Sequence, residues 1–594
     1  MHQNRRVNWL IAIASTAILA IVVSVLFDYY YDLNDDVLIK DILSGAYSGE
    51  PDAHNNQNLW LFGVLVSGLY KIAGSIPGYG IVLLLFQYGS IAIILDRSLE
   101  IADRHASTVP TSKKILYKIA IAISEVMLLI TVVGSHLVNV QYTYTVAMLA
   151  AAAIAWVISE ESDCLPKEYL KKNIPVFLIV FLGFNLRSEM MLLMLPFLCV
   201  AYLIRFTLDG KCFVKNLVKY GCTLALIAGL LLISLGINGM AYSNEGWKTF
   251  TDFFDARTEL YDFQVIPEYE ANKDFFESIG LSKEEQILLE NYNFGLDSEY
   301  TPEVMWKIAE YANISNPKSS DTLTSIKDNL RLYIYRITHG ANSTGSDYPY
   351  NLISAFFYIL IFILLILGRR YIEILNLIVL FVGRTLIWIY MMMGNRMPER
   401  ITHSLYLVEI TILVIYAMLI MNKHIELMIA FSVIMFLIVV PKEYGRLVDN
   451  QNLREETNAP YIKLYEYMNS NNKDFYLLDV YSTVAYSEKM FSDMAEISKM
   501  NSDLLGGWFT FSPVQSGKLR RYDISNAKDA LLKGKAKFIM KTNEETNNEA
   551  TVEDLSIDNN VKWLIDFYES SGDNVILTRF DSVEGFDIYE IAGK

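Results

Sequence analysis

The chain has 594 residues, 53% of them hydrophobic and 20% charged, with a formal net charge of −16. That length excludes a single ordinary domain, and that charge excludes nucleic acid as a partner, because a polyanion needs a basic surface. The mean hydropathy is positive. The apolar residues fall in runs of about 17–20, the length a helix needs to cross roughly 30 Å of hydrocarbon. Backbone groups in lipid must pair within the segment, so each run reads as a helix.

The first run, residues 7–27, follows Met1-His-Gln-Asn-Arg-Arg6. It is longer than a signal-peptide core and lacks a small-residue cleavage site before Phe27-Asp-Tyr-Tyr-Tyr31, so it reads as an uncleaved first span. The candidate spans are 8–27, 78–95, 115–134, 142–158, 173–186, 189–205, 220–237, 351–368, 372–392, 404–421 and 424–440. The fifth is short. Excess Lys and Arg mark cytoplasmic loops. By that rule Arg5 and Arg6, the loops 97–114, 167–172 and 205–219, Arg369 with Arg370, and the Lys423 turn all face the cytoplasm. Residues 59–73 are also apolar enough to span, but a crossing there would invert every later loop. A helix lying in the outer interface keeps the basic loops inside. The expectation is eleven spans in a bacterial plasma membrane, with the N-terminus cytoplasmic and the C-terminus outside.

Three polar regions then lie outside: 28–77, 238–350 and 441–594. The middle one holds 19 acidic and 9 basic residues, and its segments 283–291 and 302–312 are expected as short helices. In the tail, 475–480, 536–540, 575–580 and 585–591 have strand character, and 461–469 and 561–570 have helical character. The expected organisation is a helical transmembrane module over 1–440 and a small extracytoplasmic α/β domain over 441–594. The four cysteines avoid the large polar regions, so no disulfide framework holds them.

Two constellations carry chemistry. The first is the acidic stretch Tyr31-Asp-Leu-Asn-Asp-Asp-Val-Leu-Ile-Lys-Asp41, at the exit of span one. Asp35 and Asp36 are adjacent, so each disfavours ionisation of the other, which suits a general base. A carboxylate pair equally suits Mg²⁺ or Mn²⁺. Asp32, Asp41 and His54 are further substrate-contact candidates. The plain alternative is a solvated acidic loop that enforces outside placement. The second constellation is cationic: Arg187 at the outer end of span five, and Arg396 and Arg400 in Gly394-Asn-Arg-Met-Pro-Glu-Arg-Ile-Thr-His403. Positive charge outside runs against the usual bias, and Arg binds phosphate in bidentate fashion. The plain alternative pairs Arg187 with Glu189. Arg384 lies within a span, and Arg257 lies in an amphipathic segment that could bound a cleft. No phosphate loop, His-Glu-x-x-His or zinc-spaced cysteine pair occurs.

The arrangement resembles the GT-C superfamily of integral membrane glycosyltransferases. A span exits into an acidic loop, an interfacial helix follows, then many spans and an outer C-terminal domain. Leu33-Asn-Asp-Asp36, followed by Ser44-Gly-Ala-Tyr-Ser-Gly-Glu-Pro51 and His54, is similar to bacterial members that decorate surface glycans. The resemblance implies a polyprenyl-phosphate-linked or polyprenyl-diphosphate-linked sugar donor, a glycan or other envelope acceptor, and inversion at the sugar. It implies that an acidic residue of the first outer loop, here Asp35 or Asp36, acts as base or holds a metal. The adjacency departs from the spaced Asp-x-Asp pattern. The arginines come from position and charge, not from the motif. Competing readings are a polymerase or ligase of lipid-linked oligosaccharides, a transporter or flippase of such lipids, and a non-catalytic scaffold.

Overall fold

A computed structural model describes residues 2–74, 76–105, 113–161, 165–210, 212–315, 322–340, 343, 345–394, 397–421, 425–493, 497–542 and 561–593. Arg396, Cys164, Lys211 and the Lys423 turn lie outside the described residues.

Among the described residues, ten helices are long and apolar enough to cross a membrane, and counting a bent pair as one span brings the number to eleven. The protein is thus a helical, multi-pass membrane protein. The spanning helices are α1 (His2–Leu26), α4 (Gly78–His105), α5 (Lys114–Val138), α6 (Tyr142–Ser159), the pair α7 (Pro166–Lys172) and α8 (Ile174–Leu186), α9 (Ser188–Asp209), α10 (Phe213–Ala241), α16 (Tyr350–Leu367), α17 (Ile374–Met393), α18 (Glu399–Ile420) and α19 (Ile425–Ser470). Each coincides with one of the eleven expected segments. The short fifth one is explained by Pro175 in the first turn of α8. Proline removes an N–H and restricts the residue before it, and the chain bends by 56° there.

Residues 59–73 form α3 (Trp60–Ile72), with 13 residues. That is about 20 Å of helix, too short to cross. It packs against α8 and α10, and the Leu59 N–H donates to the Asn185 carbonyl at 2.9 Å. It covers the place left by the short α8. Helix α6 is buried on all sides and touches α4, α8, α9 and α18. Its alanines, Ala147, Ala150–Ala153 and Ala155, let those neighbours approach closely. By contrast α1 presents Leu10, Ile18 and Val25 outward, the apolar face that lipid covers.

The two ends of the bundle differ. At one, the basic loop residues are tied to acids: Arg97 to Asp96 and Glu100, Lys172 to Glu160, and Arg205 and Lys219 to Asp209. At the other end gather all three polar regions. The first contains the pair Tyr30–Tyr31 (β1), α2 (Asn34–Ser44) and α3. Strand β1 runs parallel to β2 (Asn139–Val140), in the turn between α5 and α6. The middle region contributes α11 (Glu245–Thr258), α12 (Lys273–Ser278), α13 (Lys283–Glu290), α14 (Pro302–Ser315) and α15 (Thr322–Thr338). Helices α13 and α14 are the two short helices expected there.

The tail begins differently from expectation. Hydropathy puts a boundary after residue 440, where the apolar run ends. Instead α19 runs through Pro441 for 46 residues, about 70 Å, from the bundle into the head. A helical period continues in polar residues past the apolar stretch, and a hydropathy reading stops where the helix does not. Beyond it lie β3 (Phe475–Leu478), β4 (Ser502–Leu504), α20 (Pro513–Arg521), α21 (Ala527–Leu532), β5 (Ala536–Lys541), α22 (Lys562–Ser570), β6 (Val575–Val583) and β7 (Phe586–Gly593). The sheet order is β4-β3-β5-β7-β6, parallel across the first three strands and antiparallel across the rest. Phe253, Leu260, Phe294 and Met305 of the middle region share one core with Phe475, Leu477, Phe538, Leu564 and Ile591 of the tail. The two regions therefore form a single head over the end of the bundle.

Candidate functional site

Helix α2 sits where bundle and head meet, and short backbone pairings hold it there. Asp32 N–H donates to the Val140 carbonyl at 3.0 Å, Tyr31 N–H to the Glu488 carbonyl at 3.1 Å, and Met490 N–H to the Tyr29 carbonyl at 2.8 Å. The helix ends on Gly45 with φ +86°, where a Cβ would meet the Glu50 backbone at 2.7 Å. Only glycine fits that turn.

The two adjacent carboxylates face different surroundings, because successive residues on a helix point about 100° apart. Asp36 is fully buried. Its Oδ1 accepts from the Tyr79 hydroxyl of α4 at 2.8 Å and from the Tyr142 N–H of α6 at 3.3 Å, while Oδ2 has no hydrogen-bond partner. Burial pushes its carboxyl well above the usual range, against the Tyr79 hydrogen bond, and the charges of Asp35 and Asp32 add to the rise. Asp35 is half-buried and lines a cavity of about 430 Å³ between α2 and the head. The pair thus does not form a joint seat for Mg²⁺ or Mn²⁺. Among the described residues, three carboxylates come within reach of one ion at Glu285, Asp297 and Glu299, in the head.

Positive charge surrounds the start of α2. Arg187 donates to the Gln57 side chain, pairs with Glu189 at 3.1 Å, lies 5.3 Å from the Tyr142 ring centroid and interacts with the charge of Asp35. The Arg187–Glu189 pair named as the plain alternative is therefore present. The Arg400 charge reaches both Asp32 and Tyr142, and Arg400 makes no ion pair within 4 Å among the described residues. Arg454 of α19 lies 3.9 Å from Asp32, donates to the Asn139 side chain at 2.6 Å and stacks on Tyr30. Burial raises the Asp32 carboxyl, and Arg454 and Arg400 oppose the rise.

The remaining candidates separate. Asp41 also lines the cavity, but its charge is committed: Lys40 is 2.6 Å and Lys499 2.8 Å away, and both lysines also pair with Glu488, at 2.7 and 3.0 Å. His54 bonds to Asp52 at 2.8 Å, stacks on Trp247 and meets Tyr242 edge-on. It serves the packing of the loop and lines neither the cavity nor the acid–arginine cluster. Arg257 does line the cavity, with its guanidinium over Tyr261 and Tyr292. Arg384 is paired with Glu409 at 2.9 Å inside the bundle, far from free charge.

A second hollow, of about 670 Å³, runs between α1 and α4. Ile13, Ala17, Ala20, Leu84 and Leu85 line it, and its outer end carries Tyr29 and the Asp28–Lys489 pair at 2.6 Å, just before Asp32 in the chain. Comparison with family models, with curated protein sequences and with solved structures returns no match to this chain.

Sequence reading missed Arg454, Lys499, Lys518 and Tyr79. Each is brought to α2 by tertiary packing from a distant segment. The one available hint was Tyr79 in the first turn of the second span, where a tyrosine reads as an interfacial anchor.

Proposed function

We propose that this protein is a GT-C-like membrane glycosyltransferase of the bacterial plasma membrane, with its head outside and its N-terminus in the cytoplasm. It moves a sugar from a polyprenyl-phosphate or polyprenyl-diphosphate carrier to a surface glycan or other envelope acceptor. The observation that carries this reading is Asp35. It is a cavity-lining carboxylate with no ion pair within 4 Å among the described residues, beside Arg187, at the junction of bundle and head. The gathering of all polar regions at one end of the bundle supports the orientation.

The chemistry follows from those groups. The Asp35 carboxylate accepts the proton of an acceptor hydroxyl as its oxygen attacks the anomeric carbon. The bond from that carbon to the carrier phosphate breaks, and its electron pair leaves with the phosphate. Arg187 and Arg400 stand where that negative charge develops, which lowers the barrier. The hollow between α1 and α4 offers an apolar path open to lipid for the carrier chain. A soluble nucleotide-sugar enzyme has no use for such a path.

The test is Asp35→Asn, with membrane insertion confirmed and the host's lipid-linked sugars and surface glycans profiled. The expected result is loss of one glycan decoration and accumulation of its lipid-linked donor. Unchanged glycans and donors would overturn the reading. Intact chains in Asp35→Asn together with shortened chains in Arg400→Ala would instead fit the polymerase or ligase reading, which needs the arginines and not the acid.

A further inference from the structure

The cavity that Asp35 lines has a second wall, built by the head, and that wall has the chemistry of a carbohydrate site. Its joint is rigid. At Gly295 a Cβ would lie 2.6 Å from the Leu505 carbonyl, and at Gly506 one would lie 1.8 Å from the Tyr292 carbonyl. The Gly295 N–H donates to the Leu505 carbonyl at 2.6 Å. Two glycines thus press the middle region against the tail, backbone to backbone, and fix Trp508 and Phe509 in the wall. At the rim Tyr481 is 58% exposed, although its hydroxyl is held by the Glu290 carbonyl at 3.2 Å. A pinned aromatic ring left in water at a cavity mouth is a ready stacking surface.

Among the described residues, six charged ones line the cavity, and they cancel: Asp35, Asp41 and Asp503 against Arg257, Lys499 and Lys518. Lys518, 2% exposed, donates to the Ser502 carbonyl, lies 3.8 Å from Asp503 and sits over the Tyr47 ring at 3.7 Å. Tyr47 in turn donates to Asp503 at 2.9 Å. Asp41 and Lys499 are balanced within their own four-charge cluster. What remains for a ligand is aromatic faces plus hydrogen-bonding groups with no net charge. The volume falls in the range of small-molecule sites, about 300–1,000 Å³.

We propose that this cavity is the acceptor site and that it takes the hydroxyl-bearing end of an uncharged glycan. Trp508 and Tyr481 stack on sugar rings, and the Lys518–Asp503–Tyr47 group reads hydroxyls. The proposal rests on the transferase reading above and names its acceptor class. An anionic acceptor would bring uncompensated charge into a neutral wall, which is unfavourable at low dielectric.

The experiment uses the full-length protein in lipid nanodiscs, immobilised, with the host's own surface glycans released and separated into neutral and anionic pools. The expected result is saturable retention of neutral glycans, weakened at least tenfold by Trp508→Ala, by Lys518→Met and by Tyr481→Ala. The last variant removes an exposed ring with little packing to lose, so it reports binding even where a core variant fails to fold. Asp35→Asn is expected to lose transfer. Retention of the anionic pool alone, no retention of either pool, or retention unchanged in Tyr481→Ala and in whichever of Trp508→Ala and Lys518→Met folds would each overturn the proposal. Binding of neutral glycans without any sugar transfer would overturn the transferase reading and leave the site standing. Transfer whose acceptor KM ignores all three substitutions would do the reverse.

Discussion

Replacing Lys499 with methionine tests how α2 is held against the head. Lys40, Asp41, Glu488 and Lys499 form a cluster of two positive and two negative charges, with contacts of 2.6 to 3.0 Å. Their side chains are 4%, 3%, 0% and 14% exposed. Removing one member leaves a buried net negative charge, and breaking a buried pair this way costs about 3–5 kcal/mol. Lys499 is the least buried of the four, so the lower figure, about 3 kcal/mol, is expected. At about 1.4 kcal/mol per factor of ten, that raises the opening equilibrium between α2 and residues 485–500 by about 100-fold. Hydrogen exchange read by mass spectrometry on peptides from both segments measures it directly. Adding Glu488→Gln removes one charge of each sign and is expected to recover more than half of the loss. A change under about threefold in the single variant, or a double variant no better than the single, would refute the reasoning.

The same groups set one part of the pH dependence of that opening. Burial alone would raise the Asp41 carboxyl, but Lys40 and Lys499 outweigh it and hold it below its usual 3.8. Its contribution is therefore present above 3.8 and lost only as pH falls through a still lower value. Burial would lower the Lys499 ammonium, but Asp41 and Glu488 hold it well above 10.5. Its contribution is present below 10.5 and lost only as pH rises through that raised value. Between about pH 5 and about pH 9 these four charges are expected to add no slope to the opening, so any slope left after correction for intrinsic exchange is that of the buried Asp36 carboxyl on the same helix.

Asp36→Asn is expected to leave transfer within about threefold of wild type, since burial biases that carboxyl toward its protonated form. It should also abolish a loss of thermal stability as pH rises above 3.8, the sign expected for an acid whose folded pKa is raised. A loss of activity on the scale expected for Asp35→Asn, about 10²–10⁴-fold, would return the base role to Asp36. Arg400→Ala should lower kcat by about 10²–10³-fold in steady-state assays with the lipid-linked donor, the range for removing one oxyanion donor; a kcat within a few-fold of wild type counts against a role at the leaving phosphate. Burial pushes the Lys518 ammonium down from 10.5 to about 8. Between those two values the unfolded chain binds the extra proton, so stability should rise with pH by an order of about 3 kcal/mol. Lys518→Met removes that rise, and denaturation across the window compares the two.

The bundle was legible because each of its elements is a local property of the chain. Apolar runs of spanning length and Pro175 mark the helices without reference to anything distant. Helix α3 was legible for a subtler reason: reading it as a span would have inverted every basic loop. The head was half legible. Strands β3, β5, β6 and β7 carry short apolar runs, whereas β4 is three residues, Ser502–Leu504, paired with β3. The site itself depends on packing. Nothing in the neighbourhood of Arg454 or Lys499 distinguishes them from other solvated charges, and each becomes a partner of the acidic loop only when α19 and the segment after β3 fold back onto α2. Asp35 and Asp36 looked equivalent in sequence because the sequence lacks the one fact that separates them, which is where the faces of α2 point.

On the proposed transferase function, that fact also gives the adjacent acids distinct tasks. Asp36 is buried and tied to α4 and α6 through Tyr79 and Tyr142. One face of the same helix is clamped to the head through Lys40 and Asp41. With the start of α2 locked to the bundle and its middle locked to the head, the helix has no freedom to rotate about its axis. Asp35, one residue away, is then held at the cavity within reach of the Arg187 charge. A base that must meet an acceptor on one side and a leaving phosphate on the other gains from being fixed in this way, because its geometry is set before either substrate arrives.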